Sequence, residues 1–214
     1  MQSQCDKWIR WISFDLSYSP IFFFSQYTAS GDSRLALRPT IHKASLDVSD
    51  LDRAYYATHA LVLARHPSET DERMMVRLLS FAMFADESLS FGGGISDSDE
   101  PDLWAKDLTG HIRLWIEVGQ PDPRLVRKAC HRAEQVIIMA YGRGVDPWWN
   151  KIRTELNGLT NLRVLLLSAA DSAALAARAS RNMTLHVLIQ EGVVSVTDDT
   201  TSVDVSPTTL LGGT

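Results

Sequence analysis

The order in which strand-like and helix-like segments follow one another constrains the fold of this chain most strongly. Residues 41–48 loosely alternate apolar and polar side chains, as a strand with one solvated face would. Residues 55–65 could be a second strand or a helix, since their β-branched content is too low to decide, and we favour a strand that completes a β-hairpin. Helical and strand patterns then alternate up to a final pair of strand-like segments, 184–190 and 193–197. This order predicts an α/β domain with a mixed central sheet flanked by helices, an N-terminal β-hairpin and a C-terminal β-hairpin.

The segments between the two hairpins each show one dominant period. Their expected bounds are a helix from Ser68 to about Ala85, a hairpin of strands 102–106 and 111–118, a helix from Asp122 to about Gln135, a strand at 136–141, a helix at 147–156, a strand at 162–167 and a helix at 171–180. Ser68 is expected to be an N-cap because an acid follows it three residues later. Asp122 followed by Pro123 is typical of an N-cap with proline at the first helical position.

The first predicted helix carries charged residues on two different stripes. Glu69, Arg73 and Arg77 are spaced four residues apart, which we interpret as a solvated ladder of ion pairs. Glu72 instead shares the stripe that a folded domain must bury, which consists of Val76, Leu79 and Met83. An acid at the edge of an apolar face therefore requires an explanation.

Composition limits the classes of protein to which this chain can belong. The 214 residues are 45% hydrophobic and carry a net charge of −5, which is typical of one globular domain and excludes a protein that coats nucleic acid by bulk positive charge. Any contact with phosphates would need a local basic patch or a metal ion.

The cysteines and the apolar runs indicate where the protein is located. Two cysteines, Cys5 and Cys130, form neither a metal-ligand spacing nor a disulfide framework, and no apolar run is long enough to span a bilayer. We therefore expect a cytoplasmic protein without a membrane segment.

The first 34 residues differ from the rest of the chain. They contain Trp8, Trp11 and four of the seven phenylalanines, without clear periodicity and without the features of a signal peptide. We interpret residues 1–34 as an extension outside the domain, translated from a start codon upstream of the natural one. Residues 35–214 then form a single domain whose initiator is read as Leu35, a reading that any codon other than TTG at this position would refute.

Three acids occupy places where an acid is costly. Asp102 follows a proline at the start of a strand, Glu117 lies between two apolar residues of the next strand, and Glu72 edges an apolar helical face. In-register pairing of the hairpin would make Asp102 and Glu117 neighbours. The preceding helix would then place Glu72 close to both. Clustered carboxylates share protons or bind a cation, and ligands that are all oxygen select a hard ion such as Mg²⁺ or Mn²⁺.

Each of these acids also has a simpler interpretation. Asp102 alone is a turn acid, since Asp commonly follows proline in turns. Glu117 alone would be the ion-pair partner of Arg113 or Arg163. Glu72 alone would be a solvated acid of the first helical turn.

Several motifs together resemble a known family. The stretch EPDLWAKDLTGHIRLWIEVGQ is similar to the PD-(D/E)XK nuclease superfamily, whose order is a helix with a glutamate, a PD strand, a (D/E)xK strand, a helix and a strand. More specifically, LRPTIHKA, LARHPSETDERMMVRLLSFA, DEPDLW, LWIEVGQPD, RKAC and the Trp148-Trp149 pair resemble the YaeQ family from about Leu35 to near the C-terminus. This resemblance implies a variation on the restriction-endonuclease-like core.

The resemblance also implies roles for individual residues. Asp102 corresponds to the acid of the PD element, Glu117 to the (D/E) position and Glu72 to the helical glutamate of several branches of the superfamily. The lysine that would follow two residues after Glu117 is replaced by Gly119. Two residues are candidates for its place, Gln120 through a bulge at Gly119 and Lys128 from the next helix.

Two functions from different classes fit these observations. The first is a metal-dependent phosphodiesterase of nuclease type, in which Asp102, Glu117 and Glu72 hold Mg²⁺ or Mn²⁺. The second is a nuclease-like fold that has lost catalysis and binds nucleic acid or protein. The missing lysine and the acidic net charge favour this second function.

Trp148 and Trp149 are interpreted as core packing at a helix start, with base stacking as the alternative.

Overall fold

The computed structural model of the chain describes residues 38–93 and 99–212. Its elements in chain order are β1 (Thr40–Asp50), β2 (Tyr55–Arg65), α1 (Asp71–Met83), β3 (Leu89–Phe91), β4 (Leu103–Lys106), β5 (Ile112–Val118), α2 (Pro123–Arg132), β6 (Ala133–Tyr141), α3 (Val145–Leu156), β7 (Leu162–Leu167), α4 (Ala169–Ala176), β8 (Asn182–Gln190), β9 (Val193–Thr197), β10 (Ser202–Val205) and β11 (Thr208–Leu211). The predicted extension of residues 1–34 lies outside the described residues. Among the described helices, none is long and apolar enough to cross a membrane.

The predicted terminal hairpins meet in one sheet, which we call the first sheet. Its strand order is β10-β9-β8-β1-β2. β1 and β2 pair antiparallel from Thr40 opposite Arg65 to Asp50 opposite Tyr55, so the second segment is a strand rather than a helix. β1 also pairs parallel with β8, which makes the sheet mixed. The alternating burial along β1 and β8 leaves one face of this sheet in solvent.

The central hairpin belongs to another mixed sheet, which we call the second sheet. Its strand order is β11-β7-β6-β5-β4-β3. β4 and β5 pair antiparallel, whereas β5, β6 and β7 run parallel because helices connect them. The continuous apolar run of β6, buried from Val136 to Ala140, is typical of a strand covered on both faces.

Helix α1 lies between the two sheets. Every residue from Met74 to Ala82 is buried, and the apolar ones share a core with Leu46 and Leu185 of the first sheet and with Ile116 and Ile137 of the second. A helix that is buried around its whole circumference has no solvated stripe. The opposite face of the second sheet packs on α2 and α3 in a separate core.

The α/β fold is confirmed, and three details differ from the sequence prediction. The strands form two mixed sheets rather than one central sheet, and β3, β10 and β11 were not predicted. The N-cap of α1 is Thr70, which accepts a hydrogen bond from the backbone N–H of Arg73, so the assignment of Ser68 is wrong. Helix α2 begins after the predicted N-cap Asp122 but ends at Arg132, because the next residue already pairs with β5.

Candidate functional site: a carboxylate cluster neutralised by arginines

Asp102 is a buried acid at the start of β4, and its side chain is only 1% exposed. Both of its carboxylate oxygens accept hydrogen bonds from Nη2 of Arg73, at 2.7 and 2.9 Å. Nε of Arg77 lies 3.4 Å from Oδ1, and the backbone N–H of Val118 donates to Oδ2 at 2.8 Å. Burial raises the pKa of Asp102, whereas the two guanidinium groups and the amide act in the opposite direction and favour its anion.

Glu69, just before α1, completes a buried network of two acids and two arginines. Its Oε1 accepts hydrogen bonds from Nη1 of Arg73 and from Nη1 of Arg77, both at 3.0 Å. Burial acts to lower the pKa of Arg73, but the negative charges of Asp102 and Glu69 outweigh this effect and raise it. The interpretation of Glu69, Arg73 and Arg77 as a solvated ladder is therefore wrong, since α1 is enclosed between two sheets and its charges are buried with their partners.

Glu117 lies beside this network, on β5. Because Leu103 pairs with Ile116, continuing the register sets Asp102 opposite Glu117, as the sequence predicts. Oε1 of Glu117 accepts a hydrogen bond from Nε1 of Trp115 at 2.9 Å. Burial raises the pKa of Glu117 from 4.5 to about 7, and the charge of Asp102 acts in the same direction, whereas the Trp115 bond and Arg73 oppose it. A carboxyl group with this pKa can exchange a proton near neutral pH.

Glu72 borders the cluster from the first turn of α1. Its Oε1 accepts a 2.6 Å hydrogen bond from the hydroxyl of Ser172 on α4. Its charge also reaches Tyr141, whose pKa is raised mainly by burial, with a lowering effect from Arg73 and raising effects from Glu72 and Asp102. Tyr141 thus belongs to the site although the sequence analysis did not single it out, as do Arg73 and Arg77, which that analysis interpreted as solvated. Their signal was a pair of arginines four residues apart on a helix that also carries the candidate glutamate.

Within the described residues, neither candidate for the missing lysine forms a hydrogen bond or an ion pair with Glu72, Asp102 or Glu117. Gln120 is exposed, and its Nε2 donates a 3.2 Å hydrogen bond to the carbonyl of Tyr141. Gly119 before it has φ of +114°, a backbone conformation that favours glycine, and the bulge at this position stays a prediction. Lys128 is exposed on α2 and forms an ion pair with Asp99. The charges that act on Glu117 come from Asp102 and Arg73 instead.

As arranged, the three predicted carboxylates do not form a ligand set for a divalent ion. Within residues 38–93 and 99–212, no group of three or more His, Cys, Asp or Glu side chains is placed to hold a metal. The oxygens of Asp102 are engaged by Arg73, Arg77 and Val118, and Glu72 and Glu117 each accept a hydrogen bond from a neighbour. Binding of Mg²⁺ or Mn²⁺ would require these bonds to rearrange, and it stays a prediction.

Gly92 packs closely against the backbone of Pro101 and Asp102. Its backbone N–H donates to the carbonyl of Asp102 at 3.0 Å, and a Cβ at this position would lie 2.2 Å from the carbonyl oxygen of Pro101. We expect Gly92→Ala to lower the free energy of unfolding by about 1–3 kcal/mol, because the obstacle is backbone and cannot rotate away. Urea denaturation measures this loss. Ser90→Ala, on β3 just before Gly92, should change the free energy of unfolding by less than about 0.5 kcal/mol. Equal stability of both variants would contradict the close approach of Gly92 to the backbone of Pro101.

Known proteins resemble this chain over most of its length. The family model described as "YaeQ protein" matches residues 35–207. The YaeQ proteins of Escherichia coli (strain K12) and Shigella flexneri are each 42% identical to it over 175 residues, which cover 81% of this chain and 97% of each relative. The crystal structure of YaeQ from Xanthomonas axonopodis pv. citri is 47% identical with a TM-score of 0.79 and covers 82% of this chain and 99% of that one. YaeQ from Pseudomonas syringae is 39% identical with a TM-score of 0.79 and covers 82% and 97%. On this evidence the chain belongs to the YaeQ family.

Proposed function

We propose that this protein is a variant of the PD-(D/E)XK nuclease fold that binds nucleic acid without cleaving it. The order α1, β4, β5, α2, β6 supports the superfamily assignment, since it matches the superfamily's order of helix, PD strand, (D/E)xK strand, helix and strand. Asp102 and Glu117 occupy the acidic positions of that order, and Gly119 stands where the lysine would be. Fold similarity alone does not assign an activity, so the site must carry the argument.

The ion pair between Arg73 and Asp102, in which Nη2 donates to both carboxylate oxygens, carries the proposal. A divalent ion would have to displace Nη2 of Arg73 from two hydrogen bonds shorter than 3 Å, in a place where Asp102 is almost fully buried. Such a displacement would leave Arg73 with Glu69 as its one remaining acid partner in a largely buried place, which opposes metal binding. The arginines thus supply the counter-charge that the sequence analysis assigned to a metal ion.

Helix α2 supplies a basic surface beside this cluster. Its ten residues, PRLVRKACHR, contain three arginines and a lysine but no acid, although the whole chain has a net charge of −5. Arg132 lies over the ring of Trp115, whose indole N–H binds Glu117, so the helix runs close to the cluster. Arg127 and Lys128 form exposed ion pairs with Glu155 and Asp99, and such weak surface pairs can exchange for the phosphates of a nucleic acid.

A metal-dependent phosphodiesterase is the second candidate, with Mg²⁺ or Mn²⁺ as its cofactor. The pKa of about 7 for Glu117 favours it, because a carboxyl group whose ionisation is suppressed by burial and by Asp102 would be ionised by a nearby cation. This candidate needs the Arg73 pair to open when the ion and substrate bind.

Metal titration together with a nucleic-acid binding assay separates the two candidates. For the native chain we expect no calorimetric signal with Mg²⁺ or Mn²⁺, no cleavage of single- or double-stranded DNA or RNA, and binding that weakens with salt. Lys128→Gln should lower the slope of log K against log salt by about 1. Lys43→Gln, an exposed lysine on the first sheet, is the matched control and should leave the slope unchanged.

Two results would decide against the proposal. Metal binding that an Asp102→Asn, Glu117→Gln double variant abolishes, together with cleavage, would establish the phosphodiesterase. Absence of both metal binding and nucleic-acid binding would leave a protein-binding module as the remaining role of the fold.

A further inference from the structure

A cleft of about 580 Å³ opens beyond the C-terminal end of β5, between the start of α2 and the middle of α3. It is lined by residues of both helices and of the connecting segment, including Gln120, Arg124, Trp148 and Lys151. Its volume lies within the range of sites that bind small molecules. The roles described above for the carboxylate cluster do not use Arg124, Trp148 or Lys151.

Hydrogen bonds hold the walls of this cleft in place. Nε1 of Trp148 donates to the carbonyl of Pro121 at 3.0 Å, which ties α3 to the segment before α2. Gln120 is anchored to the carbonyl of Tyr141, and Gly144 leaves room for it, since a Cβ there would lie 3.0 Å from Oε1 of Gln120. A cleft with anchored walls needs little reorganisation to accept a ligand.

The charges that line the cleft leave two cations available. Its two acids are engaged, because Asp122 caps α2 through the N–H of Arg124 and Glu155 forms an ion pair with Arg127 at 3.2 Å. Arg124 and Lys151 are exposed, and in the part of the chain that the structure describes neither side chain forms an ion pair. Asp122 keeps its own negative charge, but the two cations without an ion-pair partner can both donate to the oxygens of a phosphate monoester, which carries −1.5 to −2 at pH 7. A carboxylate would neutralise only one of them.

The apolar part of the cleft suits a planar group. The half-buried indole of Trp148 and the buried Ile152 lie on the α3 side, and Pro121 lies opposite. Aromatic side chains bind flat rings by stacking, and this preference depends little on the identity of the ring.

We propose that this cleft binds a phosphate monoester carried on an aromatic ring system, which is the chemistry of a free nucleoside monophosphate or of the 5′-phosphorylated end of a nucleic acid strand. The strand form rests on the proposed function, whereas the free nucleotide form does not. Arg124 and Lys151 contact the phosphate, and Trp148 contacts the base.

Calorimetric titration of the full chain with adenosine 5′-monophosphate, adenosine and inorganic phosphate tests the site. We expect the monophosphate to bind more tightly than either fragment, and Arg124→Gln and Lys151→Gln each to weaken it about tenfold through loss of a charge-assisted hydrogen bond. Arg153→Gln, an exposed arginine of the same helix outside the cleft lining, should leave the affinity unchanged. Adenosine that binds as tightly as the monophosphate, or equal weakening by Arg153→Gln, would overturn the assignment.

An eight-nucleotide strand with and without a 5′-phosphate identifies the source of the ligand. A gain in affinity from the 5′-phosphate that Lys151→Gln removes would support a strand end, and binding of the free monophosphate alone would support a small nucleotide. If neither the monophosphate nor the 5′-phosphate contributes to binding while Lys128→Gln still weakens the strand, the cleft assignment fails and the proposed function stands. Unfolding curves of the variants show whether each is folded, so weak binding can be attributed to the site.

Discussion

Asp102→Asn should lower the free energy of unfolding by about 3 kcal/mol at pH 7, the largest loss of stability that we expect from any single change of charge in this protein. The amide can still accept the hydrogen bond from Val118, but it no longer neutralises Arg73 and Arg77. Arg77 is only 5% exposed and cannot recover much hydration. Denaturation by urea, with the midpoint and slope both fitted, measures this loss.

An exposed aspartate provides the control for this change. Asp204 on β10 faces solvent, so Asp204→Asn should change the free energy of unfolding by less than about 0.5 kcal/mol. If Asp102→Asn is as stable as the native chain, the two arginines do not depend on this carboxylate. The space around Asp102 would then be open to a metal ion.

Glu117→Gln should stabilise the protein at pH 8 by about 3 kcal/mol. The pKa of Glu117 is about 7 in the folded chain and 4.5 in the reference state, so between these pH values the folded chain holds a proton that the unfolded chain has released, and at pH 8 the folded chain carries the full cost of ionising this buried group. For this group, stability is therefore greatest below pH 4.5 and falls as the pH rises from about 4.5 to 7. Glutamine keeps an acceptor for the indole N–H of Trp115 but has no proton to lose.

The difference in unfolding free energy between the native chain and Glu117→Gln isolates this titration. It should be near zero at pH 4.5 and should grow in favour of the variant up to about pH 7. Glu87→Gln, at an exposed position, should show no such growth. A difference that is constant with pH would mean that Glu117 titrates normally, which would remove the electrostatic support for the second candidate function.

Local sequence patterns predicted most elements because each depends on neighbouring residues. Alternation along β1 and β2 defined the first hairpin, and Asp122 with Pro123 marked the start of α2. The assembly of two sheets was not predictable in this way, since it depends on parallel pairing of Lys43 with Asn182, which are far apart in the sequence. No periodicity in one segment contains information about such a partner.

The sequence predicted the acids of the site but not the arginines that pair with them. The hairpin register placed Asp102 opposite Glu117, because pairing through a short turn is a local property. Arg73 and Arg77 were interpreted as solvated, since a charged stripe on a helix normally faces water. Only the enclosure of α1 by a sheet on each side makes them buried, and that enclosure follows from the tertiary fold.

The enclosed position of α1 has a consequence for how this protein can be divided. A fragment with only one sheet would leave one side of the helix bare, together with apolar residues such as Met75 or Ile137 that share its core. A fragment that keeps only one of the two sheets is therefore not expected to be stable alone, even though two sheets suggest two halves. A shortened, split or recombined form of this protein therefore has to keep both sheets together with α1.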